Sequence, residues 1–268
     1  SPVTGRGTPA AVKPVAFSHY HCVVNGERLS IVSRIGACGR DHTNRDNKIA
    51  HHLVLASDER PAGGPAWLVM QGNLLRSEWE GSPAVIDEPV EIPGGDMPGG
   101  KCESWAAVTG DSGWGGVLAR AVTVNPAGVS YIVFEPGMDL MPLLAESLAL
   151  LPPKQRWDVT FNTYLAGPPP AGSTCHWRCC LPDDPALKTG SRRSGTTVVD
   201  LTRSLDPAPA SFFVQVARGE KAPPKPRIRQ AKKRRITGQE EQGETDFVKM
   251  PNRHRRQIRF RPDPQKGT

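Results

Sequence analysis

The sequence predicts an α+β fold, a mostly antiparallel sheet with a few packed helices, followed by a disordered basic tail. Three observations predict it. Two strand-like runs flank Asn25-Gly26, the dipeptide that best tolerates the positive φ angles of a type I′ hairpin turn. A second alternating run occupies 157–165. A single strongly amphipathic helix starts at Asp139, carries Leu140, Leu143, Leu144, Leu148 and Leu151 on one side, and is stopped by Pro152-Pro153.

Taken in order, residues 1–14 are rich in Gly, Pro and small side chains and read as a flexible lead-in. The hairpin follows, with strands over 15–24 and 27–35, and it places Phe17, His19, His21 and Val23 on one face. Residues 36–48 are polar and read as a loop, delivering the chain to a strand at 49–55. Residues 66–79 form one or two short helices around Gly72, and 81–100, dense in Pro and Gly, is a surface connection. Short helices are expected over 103–108 and 112–122, the second weakened by Gly113, Gly115 and Gly116. A strand is expected at 129–134, then the helix from Asp139. The run 157–165 alternates Trp157, Val159, Phe161, Thr163 and Leu165 against Asp158, Thr160, Asn162 and Tyr164, which is the pattern of a half-buried strand. A Pro/Gly turn and a strand at 174–181 come next, and antiparallel pairing of these two neighbours is the simplest topology. The last apolar runs are 196–201 and 211–216, so the mixed α/β domain spans 15–217.

Composition divides the chain at the same place. Of 268 residues 37% are hydrophobic, while 27 Gly and 27 Pro make about a fifth, so part of the sequence is not packed. The net charge of +7 is uneven: 218–268 holds 16 basic against 6 acidic residues, and 1–217 holds 18 against 21. The high isoelectric point therefore belongs to the tail. With almost no apolar residues, that tail cannot offset the entropy of ordering itself. Six scattered cysteines in a chain of this length, with no signal peptide at its start, are expected to be reduced thiols in a cytoplasmic protein. No apolar run reaches the roughly 20 residues needed to cross a bilayer.

Several strings invite chemistry. Gly110-Asp111-Ser112-Gly113 resembles the nucleophile loop of chymotrypsin-like proteases, and His51 and His52 precede it. The roughly 60 residues between them are too few for the two barrels that carry such a triad. Cys175 and Cys179 point the same way on a strand but lie about 13 Å apart, too far to share a zinc ion, and Cys180 faces the other side. His19 and His21, two apart on one strand, can converge on an ion with His51 or His52 as a third ligand, yet nothing in the sequence shows that the two strands are adjacent. No catalytic or metal-ligating residue is therefore assigned, and no cofactor. The densest polar segment of the folded part is 41–52, where Asp41, Asn44, Arg45, Asn47, Lys48 and His51 are the candidate binding residues. In the tail, Lys232, Lys233, Arg234 and Arg235 are the centre of a candidate polyanion contact. With only Phe247 and Phe260 to stack on bases, sequence-specific RNA readout is not expected.

The strings LSIVSRIGACGRDHTNRDNKIAHHLVL, GGPAWLVM, GDSGWGGVLA and WDVTFNTYL resemble a domain placed at the N-terminus of bacterial GTPase-associated proteins, over about residues 15–217. The resemblance implies an adaptor module of GTPase-centred conflict or signalling gene clusters, with no catalytic residues to carry over. The expected function is thus a non-catalytic interaction module whose protein partner is a GTPase or its effector. Weak non-specific nucleic-acid or anionic-surface binding through the tail is the alternative, and a hydrolase-like enzyme with a site around 41–52 comes third.

Overall fold

A computed structural model of the chain describes residues 15–40, 45–72, 74–78, 90–164 and 174–224. They belong to a unit spanning Ser1–Arg227; a second unit, Ile228–Thr268, lies outside the described residues, as do the lead-in 1–14 and the polyanion candidates Lys232–Arg235.

The hairpin is as the sequence predicts. Strand β1 (Ala16–Val24) turns through Asn25 and Gly26, at φ 53° and 81°, into β2 (Glu27–Arg40), which pairs antiparallel with β3 (Asp46–Leu55). Register places Phe17, His19, His21 and Val23 opposite Arg34, Val32, Ser30 and Arg28, so the four share a face as expected. The loop read at 36–48 is corrected: β2 runs on to Arg40 and β3 begins at Asp46, with a register shift between Ala37 and Arg40. Sequence missed these strand ends because strand signals come from apolar burial, whereas here cross-strand backbone pairing carries a Gly-rich, polar ribbon.

A single 3-10 turn (Ser57–Glu59) leads to α1 (Gly64–Val69), then α2 (Glu103–Thr109), α3 (Gly113–Val124), β4 (Ser130–Val133), α4 (Met141–Ala149), α5 (Pro153–Arg156), β5 (Phe161–Asn162), β6 (Trp177–Cys180), α6 (Pro185–Gly190), β7 (Thr197–Asp200) and α7 (Phe212–Ala217). The seven strands form one mixed sheet in the order β3-β2-β1-β5-β6-β4-β7, whose long strands are antiparallel. The short strands differ from expectation. β5 covers two residues of the predicted 157–165 run, because Trp157 still caps α5, and it pairs parallel with β6. Parallel pairing requires a long crossover, and the connection from Asn162 to Trp177 supplies it. The predicted alternation holds in part: Trp157, Val159, Phe161 and Thr163 are all buried and Asp158 is exposed, but Thr160, expected on the open face, is buried too, where its hydroxyl donates to the Thr174 carbonyl.

The main core packs one sheet face against the helices through Trp105, Leu118, Leu144, Leu148, Phe161 and Trp177. Two polar devices tie the helices together. Helix α2 has no capping side chain of its own; Glu146 of α4 instead accepts from the Ser104 and Trp105 amides at 2.9 and 3.4 Å. Arg156, 4% exposed, donates to the carbonyls of Leu151, Ala149 and Ala62 and pairs with Asp96 at 2.5 Å, which leaves its buried charge fully compensated. No helix among the described residues is long and apolar enough to cross a membrane.

Candidate functional site

The strings that invited chemistry are structural where the molecule uses them. Asp111 accepts from the Gly113 and Ala208 amides, each at 2.8 Å, and from Arg218, so its carboxylate has no capacity left to orient a histidine. The Arg218 guanidinium, ahead of the two amides, holds its carboxyl well below the usual carboxylate range. Ser112, beside it, is 6% exposed. Gly115 and Gly116 allow α3 to lie against its neighbours: a Cβ on Gly116 would meet the Phe213 carbonyl oxygen at 2.4 Å, and one on Gly115 the Trp105 ring at 2.8 Å. The same glycines that weaken α3 as a helix fit it to α2 and α7.

The cysteine cluster divides across the sheet, as the strand argument required. Cys179 packs in the main core and Cys180 in a small cluster with Tyr131 and Val133 on the other face. Burial pushes the Cys175 thiol up to about 11 and that of Cys180 up to about 12, so neither supplies a thiolate near neutral pH.

The described candidate binding residues lie along β3 and just before it. Asp41 and Asn44 lie outside the described residues. Arg45 precedes β3 and is exposed; Asn47 and Lys48 are exposed on β3, Lys48 opposite Ala37. His51, opposite Arg34, accepts the Arg76 amide on Nδ1 at 2.8 Å and so fastens the 74–78 segment to the sheet. Burial and then the nearby Arg76 hold its pKa below the ordinary value. Among described residues β1 pairing ends at the Ala16–Ile35 pair, while β2–β3 pairing continues to Arg40–Asp46. The end of the ribbon thus overhangs the sheet, and Ala37, Gly39, Arg40, Asn47, Lys48 and Ala50 on it are all exposed.

A cleft of about 560 Å³ lies elsewhere, where His21 and Arg28 of the hairpin meet the end of α3 and the segment around Asp158 and His176. Three histidines stand in or beneath it, and their hydrogen bonds decide what each can do. His176 Nδ1 accepts the Thr160 amide at 3.0 Å, which leaves the ring proton on Nε2 to be donated to the Pro126 carbonyl at 2.9 Å. Both nitrogens are spent in bridging. His19, fully buried, donates from Nδ1 to the Val159 carbonyl at 2.8 Å and accepts the Ser30 hydroxyl on Nε2 at 3.2 Å. Ser30 Oγ therefore accepts from His21 Nδ1, at 3.5 Å, and His21 Nε2 is a buried acceptor without a partner. Desolvation, reinforced by neighbouring positive charge, lowers the pKa of His19 to about 3 and that of His21 to about 4, so both are neutral near pH 7. At the rim Arg28 pairs with Asp158 at 3.2 Å. Sequence reasoning put His19 and His21 on one face but weighed them as metal ligands; the partners that spend His19, the Ser30 hydroxyl and the Val159 carbonyl, come from other segments. Among the described residues no group of three His, Cys, Asp or Glu side chains is placed to hold a metal ion.

Two family models match the chain. One is the type 2 N-terminal domain of GTPase-associated protein 1, over residues 3–93; the other is the middle domain of GTPase-associated protein 1, over residues 102–203. The first two of the four resembling strings fall in the former match and the last two in the latter. The sheet runs across both, since β1 of the first pairs with β5 of the second, and the cleft draws on both as well. No curated protein and no solved structure gives a significant match.

Proposed function

Because residues 3–203 belong to the GTPase-associated protein 1 family, we propose that the chain is a non-catalytic adaptor. It docks a GTPase-linked protein of its own gene cluster, the GTPase itself or its effector, through the overhanging end of the β2–β3 ribbon. The observation that carries this reading is the overhang: β2 and β3 outrun β1 among the described residues, so their side chains are held on a paired backbone yet left exposed. Arg45 and Lys48 meet acidic groups of the partner, and Asn47 bonds its backbone. Asp41 and Asn44 belong to the same segment. Such rim charges set specificity and the rate of encounter more than affinity.

The test is association kinetics with the neighbouring gene product, comparing the full chain with Lys48→Glu and Arg45→Glu. Lys48→Glu slows association by about tenfold at low salt and leaves the melting temperature unchanged, as expected of an exposed rim charge. Wild type binding no such partner, or Lys48→Glu binding as fast as wild type, defeats the reading. Unfolding in Arg45→Glu makes Arg45 structural and removes it from the site.

A further inference from the structure

The cleft between the two family-matched regions carries hydrogen-bonding capacity that the fold does not consume. Its floor is apolar, built by Leu151 and Val159, both buried. His21 stands in the wall, with its Nε2 atom buried away from solvent. At the rim, Gln155 is exposed and its side-chain amide makes no hydrogen bond within the protein, while Arg28 and Asp158 hold each other and are 52% and 63% exposed.

These groups share one pattern. The Gln155 amide offers a donor beside an acceptor, and the Arg28–Asp158 pair offers the same at larger reach. Their complement is a group that also presents an acceptor beside a donor, such as the C=O and N–H edge of a lactam or amide. The charges of Arg28 and Asp158 cancel and the cleft histidines are neutral, so nothing favours a charged ligand. A floor of Leu151 and Val159 suits the flat face of a ring, and about 560 Å³ lies within the size range of small-molecule sites. We infer that this cleft binds a small neutral ring compound through an amide or lactam edge, with Gln155 and the Arg28–Asp158 pair reading that edge. The inference is independent of the ribbon contact, since the residues of the overhanging ribbon end line no part of the cleft.

Saturation-transfer NMR on the full chain tests it, with uridine and nicotinamide as probes and glucose, a neutral polyol without an amide, as the comparison. Uridine and nicotinamide receive saturation at their ring protons and glucose does not. In Gln155→Leu/Asp158→Ala, whose sites are exposed, affinity for both falls at least about tenfold with an unchanged circular dichroism spectrum, the effect of losing one or two hydrogen bonds. No transfer to either probe, undiminished transfer in the double variant, or equal transfer to glucose overturns the inference.

Discussion

Arg218 holds Asp111 with two parallel bonds, Nε to Oδ1 at 2.9 Å and Nη2 to Oδ2 at 2.6 Å, and so ties the residue after α7 to the turn before α3. Arg218 Nη2 also donates to the Ala208 carbonyl, and Asp111 accepts the Ala208 amide, so three segments meet at one carboxylate. Arg218 is also where the composition turns basic.

Removing that carboxylate is therefore costly. Asp111→Ala strands a half-buried guanidinium and two amides, and is expected to lower stability by about 2 kcal/mol in urea denaturation. Acid acts on the same group: its folded pKa is depressed, so the stability it contributes is present above its unfolded value of about 4 and fades as pH falls below that. The stability of Asp111→Ala should consequently fall less than that of wild type between pH 5 and pH 3.

Gly116 tests the close approach of α3 and α7. In an open helix Gly→Ala stabilises by roughly 1 kcal/mol, but here the new methyl would lie 2.4 Å from a backbone carbonyl oxygen that cannot rotate away. Gly116→Ala is expected to destabilise by about 2 kcal/mol. Gly72→Ala, where nothing stands within 4 Å, should change stability by less than about 0.5 kcal/mol. Equal melting temperatures for the two variants would refute the tight packing.

His19 makes stability depend on pH with the same sign as Asp111 but over a range that begins higher. Its folded pKa is lowered to about 3, so below its ordinary value of 6.5 the unfolded chain takes up a proton that the folded chain refuses. Stability therefore rises with pH between those values, by up to about 1.4 kcal/mol per pH unit for one such histidine. His19→Phe, although less stable at pH 7, should show a shallower loss between pH 6.5 and pH 4.5. A slope identical to wild type would mean that His19 titrates normally in the fold.

Ser112 should be inert to fluorophosphonate reagents, since it is nearly buried and the neighbouring Asp111 is committed to Arg218. Labelling that disappears in Ser112→Ala would restore the hydrolase reading.

The sequence alone determined the features that rest on local chemistry. Asn25-Gly26 specifies its turn through φ angles that few other residues adopt, and the register of β1 on β2 follows from it. Pro152-Pro153 ends α4 and starts α5. The apolar positions from Trp157 to Thr163 are buried even though only two residues of that run join the ladder, because side-chain periodicity records which face is covered and not which backbone is paired; Thr160, buried on the other side, escapes that reading. Tertiary structure alone decided the rest. That β5 and β6 lie parallel depends on the path of the intervening chain, and that β2 and β3 continue to Arg40 and Asp46 depends on two polar segments finding each other. The candidate residues at 41–52 were legible as a polar cluster, but whether polar side chains converge is settled by strands distant in sequence. Which histidine keeps an open nitrogen is settled in the same way: Val159 and Ser30 spend His19, Thr160 and Pro126 spend His176, and no partner reaches His21 Nε2. A hydrogen bond joins atoms rather than residue types, so a sequence lists the donors and acceptors and only the fold assigns them to one another.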